Sequence, residues 1–415
     1  MTTFIDLGVP PRLTAHLDHL GITEPFPIQA ASIPDAMAGH DILGRAPTGS
    51  GKTLAFGLPV LIRVAKASPK RPRALVLAPT RELAEQIAQE LTPLGKAAQR
   101  WVFAVYGGVG YDHQRRQLRR GVEVLVATPG RLTDLIGEGT VSLADIDIVV
   151  IDEADRMADM GFMPQVRKLL DMVPEDRQTM LFSATLDGEV AELTRRYQSD
   201  ARRHEVEGDA DHGNATHYFW RVESSDRVRM TAEIVSSSSP AIVFTRTRRG
   251  AERVARQLSS AGVKAESIHG GRSQGQRTRA LAAFSTGRVS ALVATDVAAR
   301  GIHVDGVASV IHFDLPGDSK DYLHRSGRTA RAGAGGVVVS LVPGDQTGEL
   351  RHLQRSIGVA AVSHDPADDW LTGRAGSRID AASADRARPV RKSRNNGNGN
   401  GSRNRNRNRK PQRRR

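Results

Sequence analysis

Short apolar runs, each followed by a stretch of helical period, recur along this chain in a pattern that suits parallel strands joined by crossover helices. One series comprises Ala74 to Ala78, Val122 to Ala127, Ile146 to Ile151 and Thr179 to Phe182. A second comprises Ala241 to Phe244, Ala291 to Ala294, Val307 to Phe313 and Gly336 to Val342. The runs are continuous rather than alternating, as expected of strands buried on both faces. Two series predict an α/β chain of two tandem domains, each a parallel sheet flanked by helices. The length of 415 residues suits two cores better than one. Between the series, residues 204–217 (HEVEGDADHGNATH) are polar, acidic and Gly-containing, and read as an interdomain linker separating domains at 1–203 and 218–365. Residues 366–415 lose periodicity and end in NNGNGNGSRNRNRNRKPQRRR, which offers too little apolar surface to offset ordering its backbone and is predicted to be a disordered tail.

The net charge of +13 suggests a polyanion until it is located. Residues 386–415 hold 13 Lys and Arg and no acid, leaving 46 basic and 46 acidic residues in the rest. The excess therefore sits in the tail, which implies a salt-sensitive, sequence-independent attraction for nucleic acid, with a merely solubilising end as the alternative. There is no Cys, so disulfides and thiolate metal sites are excluded and any metal must sit on oxygen or imidazole. The start MTTFIDLGVPPRL lacks the features of a secretory signal and no apolar run has bilayer length, so a cytoplasmic protein without membrane contact is expected.

The polar clusters follow the predicted strands, where parallel sheets bind ligands. After the strand-like His40 to Arg45 comes APTGSGKT, namely Ala46, Pro47, Thr48, Gly49, Ser50, Gly51, Lys52 and Thr53. An apolar stretch from Leu54 to Val64 follows, which can continue as a helix kinked at Pro59. Gly49 and Gly51 let backbone N–H groups turn onto a β-phosphate, Lys52 supplies a point charge for the β and γ oxygens, and the Thr53 hydroxyl can ligate Mg²⁺. Ala46 stands where the general pattern has its first Gly; a Gly-rich surface turn is the alternative. The run IDIVVIDEADRM ends an apolar strand in Asp152 and Glu153. Asp152 can hold the Mg²⁺ shell and Glu153 can orient and deprotonate an attacking water, while dipole-favoured helix capping is the competing reading.

With these residues in order, the chain resembles the DEAD-box ATP-dependent RNA helicases over roughly residues 4–345. Asp152 to Asp155 spells the family's name. Upstream, Phe4 and GITEPFPIQ ending in Gln29 resemble the Q motif, with Ile22 and Phe26 departing from the usual residues. PTRELA at Pro79 to Ala84, Gly107-Gly108, Thr128 to Arg131 and Ser183 to Thr185 continue the first-domain set. IVFTRT at Ile242 to Thr247, HGGRSQGQR at His269 to Arg277, ATDVAARGIHV at Ala294 to Val304 and HRSGRTARAG at His324 to Gly333 supply the second, with His303 in place of the usual Asp. The resemblance implies two RecA-like domains, ATP with Mg²⁺ as cofactor, and Gln29 reading adenine. It implies that Arg328 and Arg331, three apart and on one face if helical, act as arginine fingers. It implies RNA contacts at Thr80, Arg81, Gly108, Thr128 and Arg131 in one domain and Arg246, Gly270, Gln274, Arg277 and Thr295 in the other. Asp155, Ser183, Thr185 and His324 would couple the domains.

The activity expected from the resemblance is a clamp on single-stranded RNA and short duplexes, with little sequence specificity, that unwinds locally and hydrolyses ATP to release. A DNA-directed helicase on the same scaffold and an RNA chaperone acting through the tail are the rivals. The family reading also suggests a monomer of the compact bacterial type, serving ribosome assembly, RNA decay or growth in the cold.

Overall fold

The computed structural model describes residues 2–46, 49–206, 215–299, 306–330 and 335–358. Two helices, α1 (Pro11–His19) and α2 (Pro27–Ala38), precede an alternating series. It runs β1 (Ile42–Arg45), α3 (Lys52–Arg63), β2 (Ala74–Leu77), α4 (Arg81–Ala98), β3 (Val102–Val105), α5 (Tyr111–Arg120), β4 (Val124–Ala127) and α6 (Pro129–Gly137). It continues through β5 (Ile148–Asp152), α7 (Ala154–Asp159), α8 (Met163–Leu170), β6 (Gln178–Ser183), α9 (Gly188–Tyr197) and β7 (Arg202–Glu205). The second series begins with β8 (Ala215–Arg221), α10 (Arg227–Ser237), β9 (Ala241–Phe244), α11 (Arg248–Ser260), β10 (Ala265–Ile268) and α12 (Gln274–Ser285). It ends with β11 (Ala291–Ala294), α13 (Asp296–Ala299), β12 (Ser309–His312), α14 (Ser319–Ser326), β13 (Gly336–Val342) and α15 (Thr347–Ile357).

Seven strands form one all-parallel sheet in the order β3-β4-β2-β5-β6-β1-β7, and six form another in the order β10-β11-β9-β12-β13-β8. The strand period of two splits each run between two cores. In β2, Ala74 and Val76 join the core on one face while Leu75 and Leu77 join the other. In β9, Ile242 and Phe244 face one core and Ala241 and Val243 the opposite one. Each fully buried Leu, Val or Ile contributes roughly 1.5–3 kcal/mol, so burial on both faces is what commits these runs to central strands.

The linker expected at 204–217 is shorter in the structure. His204 and Glu205 pair with Gly44 and Arg45 in the first sheet, and Ala215 to His217 pair with Gly336 to Val338 in the second. Polar composition misled here because β7 is an edge strand, whose outward residues stay in water. Residues 207–214 and the tail 366–415 lie outside the described residues. Among the described residues, no helix is long and apolar enough to cross a membrane.

Candidate nucleotide and RNA site

The phosphate-turn residues sit between β1 and α3. Gly49 and Gly51 take left-handed φ values of 88° and 82°, which side chains rarely adopt. At Gly51 the space is also full: a Cβ would lie 2.4 Å from Gln29 Nε2 and 2.5 Å from Phe26. Gln29 is buried in α2, donates from Nε2 to the Gly51 carbonyl at 2.8 Å and accepts the Phe26 N–H at 2.8 Å. Phe26 is half exposed beside it. Lys52 is buried at the start of α3 and donates to the Ala46 carbonyl at 2.9 Å. Thr53 follows in the first turn, half-buried, and Ser50 precedes. Pro47 and Thr48 lie outside the described residues.

Strand β5 delivers the acidic pair. Asp152 is buried, and that burial pushes its carboxyl up to about 7 against the opposing charge of Lys52. A buried carboxylate oxygen donor at the strand end, beside the Lys52 that starts α3, fits a cation. Glu153 has φ 52° and occupies the N-cap position of α7, so the chain turns sharply at the strand end. Its carboxylate is ion-paired with Arg156, and both are buried. Asp155 is likewise buried, its carboxyl raised first by burial and then by the charge of Glu153. Its N–H donates to Ser183 Oγ at 3.2 Å at the end of β6, while Thr185 is half-buried just beyond.

The second domain presents α14 toward α7. Lys320 Nζ lies 2.5 Å from Asp159 Oδ1, an ion pair that crosses the domains. His324, one turn on, is held at about 4, first by burial and then by the charges of Arg156 and Arg328. Arg325 donates to both Asp296 oxygens at 2.6 and 2.8 Å and to the Asp314 carbonyl at 2.7 Å. The helix stops at Ser326, so Arg328 lies in a turn and the condition of a shared helical face is not met there. The termination is local: Ala330 is left-handed at φ 56°, and the Thr329 hydroxyl donates to the Val307 carbonyl at 2.5 Å. Arg328 is buried. Arg331, the second expected finger, lies outside the described residues, as do His303 and Asp305.

The residues expected on RNA fall at the ends of β2, β3 and β4 and, in the same sheet order, of β9, β10 and β11. Thr80 caps α4 by accepting the Leu83 N–H at 3.2 Å, and Thr247 caps α11 by accepting the Gly250 N–H at 3.0 Å. Arg81 lies over Gly108, where an added Cβ would come 2.0 Å from its Nη1; Arg248 lies over Gly270, with the same measure at 3.3 Å. Arg131 donates from both Nη atoms to the Val109 carbonyl at 3.2 Å and stacks on Tyr111 at 3.9 Å. Thr128 and Thr295 are buried at their strand ends, and the exposed Arg246 is fixed through its N–H on Asp314 at 2.8 Å.

Two of the expected RNA residues are committed elsewhere. Gln274 Nε2 donates to Glu82 Oε1 at 3.2 Å, and Arg277 Nη2 lies 3.0 Å from the same oxygen. All three side chains are buried, and Glu82 belongs to the first domain. Sequence reasoning also missed Arg156, Arg325, Asp296 and Arg248. Arg156 and Arg325 lie inside motifs already recognised, and Arg248 stands one residue after its Thr cap as Arg81 does, a repeat that comparing the two domains would have exposed.

Comparison with known proteins agrees with this geometry. The DEAD/DEAH box helicase family model matches residues 26–193 and the helicase conserved C-terminal domain matches residues 226–333. The DEAD-box ATP-dependent RNA helicase CshA of Geobacillus kaustophilus is 39% identical over 359 residues, covering 86% of this chain and 77% of that protein. The DEAD-box ATP-dependent RNA helicase 9, mitochondrial, of Arabidopsis thaliana is 40% identical over 364 residues, 85% of this chain and 59% of that one. Dbp5 of S. cerevisiae, solved bound to RNA and ADP BeF3, aligns with a TM-score of 0.77 at 29% identity over 90% of this chain and 98% of its own. Kinship of this depth, spanning both sheets and the loops at their edges, makes the chain a member of the DEAD-box ATP-dependent RNA helicases, an RNA-stimulated ATPase.

Proposed function

We propose that ATP is held by Gln29 and the turn from Ala46 to Thr53, that RNA lies along the ends of β2, β3, β4, β9, β10 and β11, and that hydrolysis occurs only when the domains meet. The observation that carries this reading is the pair of interdomain contacts, Glu82 with Arg277 beside the RNA residues and Asp159 with Lys320 beside the acidic pair. Glu153 takes the proton of the attacking water. Arg156 holds its carboxylate in place, and Arg328 supplies positive charge to the transferring phosphoryl group from the second domain. Arg331 is the second finger. Arg325, clamped on Asp296, positions the turn that carries Arg328. Asp155, Ser183, Thr185 and His324 transmit closure between the two domains.

The donor set fits Mg²⁺ held by Asp152 and Thr53 with water and phosphate oxygens completing the shell. Among the described residues no three His, Asp or Glu side chains converge into an all-protein cage. Bound there, Mg²⁺ neutralises charge on the phosphate oxygens. Gly51→Ala should cripple ATP binding, because strain and the collision with Gln29 act together.

The deciding experiment is ATP turnover by the full chain with and without single-stranded RNA, beside matched DNA and a Glu153→Gln control. RNA-specific stimulation abolished by the control supports the reading. Equal stimulation by DNA would move the substrate to DNA, and stimulation by neither would favour the tail-driven chaperone. The cytoplasm and a role in ribosome assembly, RNA decay or growth in the cold complete the proposal.

A further inference from the structure

A cleft of about 480 Å³ opens between α4, the edge strand β3 and α5, outside the nucleotide site and the strand-end RNA path. Its volume is in the range of small-ligand sites. Phe103, Tyr106 and His113 line it, with the Phe103 and His113 rings 5.6 Å apart. At its wall Gln114 is 2% exposed and donates from Nε2 to the Tyr106 carbonyl at 3.2 Å, while its Oε1 accepts nothing among the described residues. A buried acceptor left unmet costs roughly 1–3 kcal/mol, and an N–H on an incoming ring edge would meet it. Glu85 also lines the cleft, one turn after Glu82 on α4, so the cleft adjoins the closure contact.

Val109, directly after Gly107-Gly108, also lines the cleft, its carbonyl fixed by Arg131. Beyond it α5 carries His113, Arg116 and Arg120 at spacings of three and four, hence on one face. Arg115 is engaged by Glu138 and Asp112, whereas Arg116, Arg119 and Arg120 form no ion pair or side-chain hydrogen bond among the described residues, and all three are exposed. Aromatic walls, an unmet buried acceptor and unpaired arginines together match one ligand chemistry, a stacked nucleobase with its phosphates.

We propose that this cleft is a nucleobase subsite for the RNA strand as it leaves the clamp past Val109, with flanking phosphates on Arg116 and Arg120. The proposal rests on Gly108 and Arg131 lying on the RNA path. It gives the helicase a grip on RNA beyond the clamp, and a preference at one nucleotide that backbone contacts alone do not provide.

The test uses the full chain with a non-hydrolysable ATP analogue and single-stranded RNAs stepped in length at either end. The double variant Arg116→Glu/Arg120→Glu should bind the shortest RNA that supports ATPase as the native chain does, with unchanged turnover on it. It should bind the extended RNA about tenfold more weakly, because the phosphates beyond the shortest site lose both arginines. Loss of two phosphate contacts should also flatten its slope of log K against log salt by about 1.4. In the native chain, 4-thiouridine placed just outside the shortest RNA should crosslink to Tyr106 or His113, and Gln114→Leu should weaken that crosslink while leaving the circular-dichroism spectrum intact. Equal loss at every length, no loss at any length, or crosslinks elsewhere would overturn the subsite. So would a native cleft that an extended peptide occupies along β3 to the exclusion of RNA. Failure of the native chain to bind even the shortest RNA would instead sink the RNA path itself.

Discussion

The two interdomain contacts, one beside the RNA residues and one beside the acidic pair, are of opposite character. On the RNA side, Arg277 and Gln274 meet Glu82, and the Arg277 and Glu82 side chains are only 10% and 6% exposed. On the nucleotide side, Lys320 and Asp159 are 48% and 25% exposed. A buried pair is strongly favourable only with its partner in place, since each charge has lost its water. An exposed pair adds little and adjusts freely. Closure is therefore specified at the RNA end, where a misplaced domain strands a buried charge, and left compliant at the nucleotide end, where phosphate must enter and leave.

The largest expected effect separates chemistry from closure. Glu153→Gln should lower RNA-stimulated turnover about 10²- to 10⁴-fold while RNA binding with ATP persists, read by phosphate release beside filter binding. Binding lost along with turnover would mean that the nucleotide end drives closure, breaking the comparison. Next, Arg277→Ala leaves Glu82 buried and unpaired, costing the closed form about 3–5 kcal/mol. The RNA concentration for half-maximal ATPase should rise by two orders of magnitude or more, and adding Glu82→Ala should recover part of the loss in a double-mutant cycle.

A pH effect of intermediate size sharpens the contrast. His324 is at about 4 in the closed form against an ordinary 6.5, so on release from α7 it binds a proton more readily. Its contribution to closure is fully present above pH 6.5 and is lost as pH falls toward 4. RNA affinity with the ATP analogue should weaken in that window by at most tenfold per pH unit, and His324→Gln should remove the dependence. The smallest effect is Lys320→Ala, expected to change RNA affinity by less than about fivefold at low salt and not at all at high salt. A larger loss would show that the exposed contact specifies closure too.

Much of this was legible beforehand because the strands are buried on both faces. Ala241 to Phe244, Ala291 to Ala294 and Gly336 to Val342 coincide with β9, β11 and β13. Composition failed at the exposed edge: β7 reads RRHE, with no apolar residue at all. The spacing of Arg328 and Arg331 would share a face only on a helix, and spacing cannot register the end of α14 at Ser326, the left-handed Ala330 or the Thr329 hydroxyl bonded to Val307. The nucleotide residues were found because each stands at a strand end beside a Gly or an acid with a distinct chemical duty.

By itself the sequence determined two parallel sheets, the phosphate turn, the acidic pair and the concentration of charge in the tail, since each is written in contiguous residues whose local chemistry allows few alternatives. Only tertiary structure decided that Gln274 and Arg277 turn to Glu82, that Arg156 stands between Glu153 and His324, and that α4, β3 and α5 leave a cleft with an unmet amide oxygen. These depend on groups that are far apart in the chain, in some cases nearly two hundred residues apart as with Glu82 and Gln274. Burial and pairing are properties of the surroundings, and the surroundings exist only after the chain has closed around them.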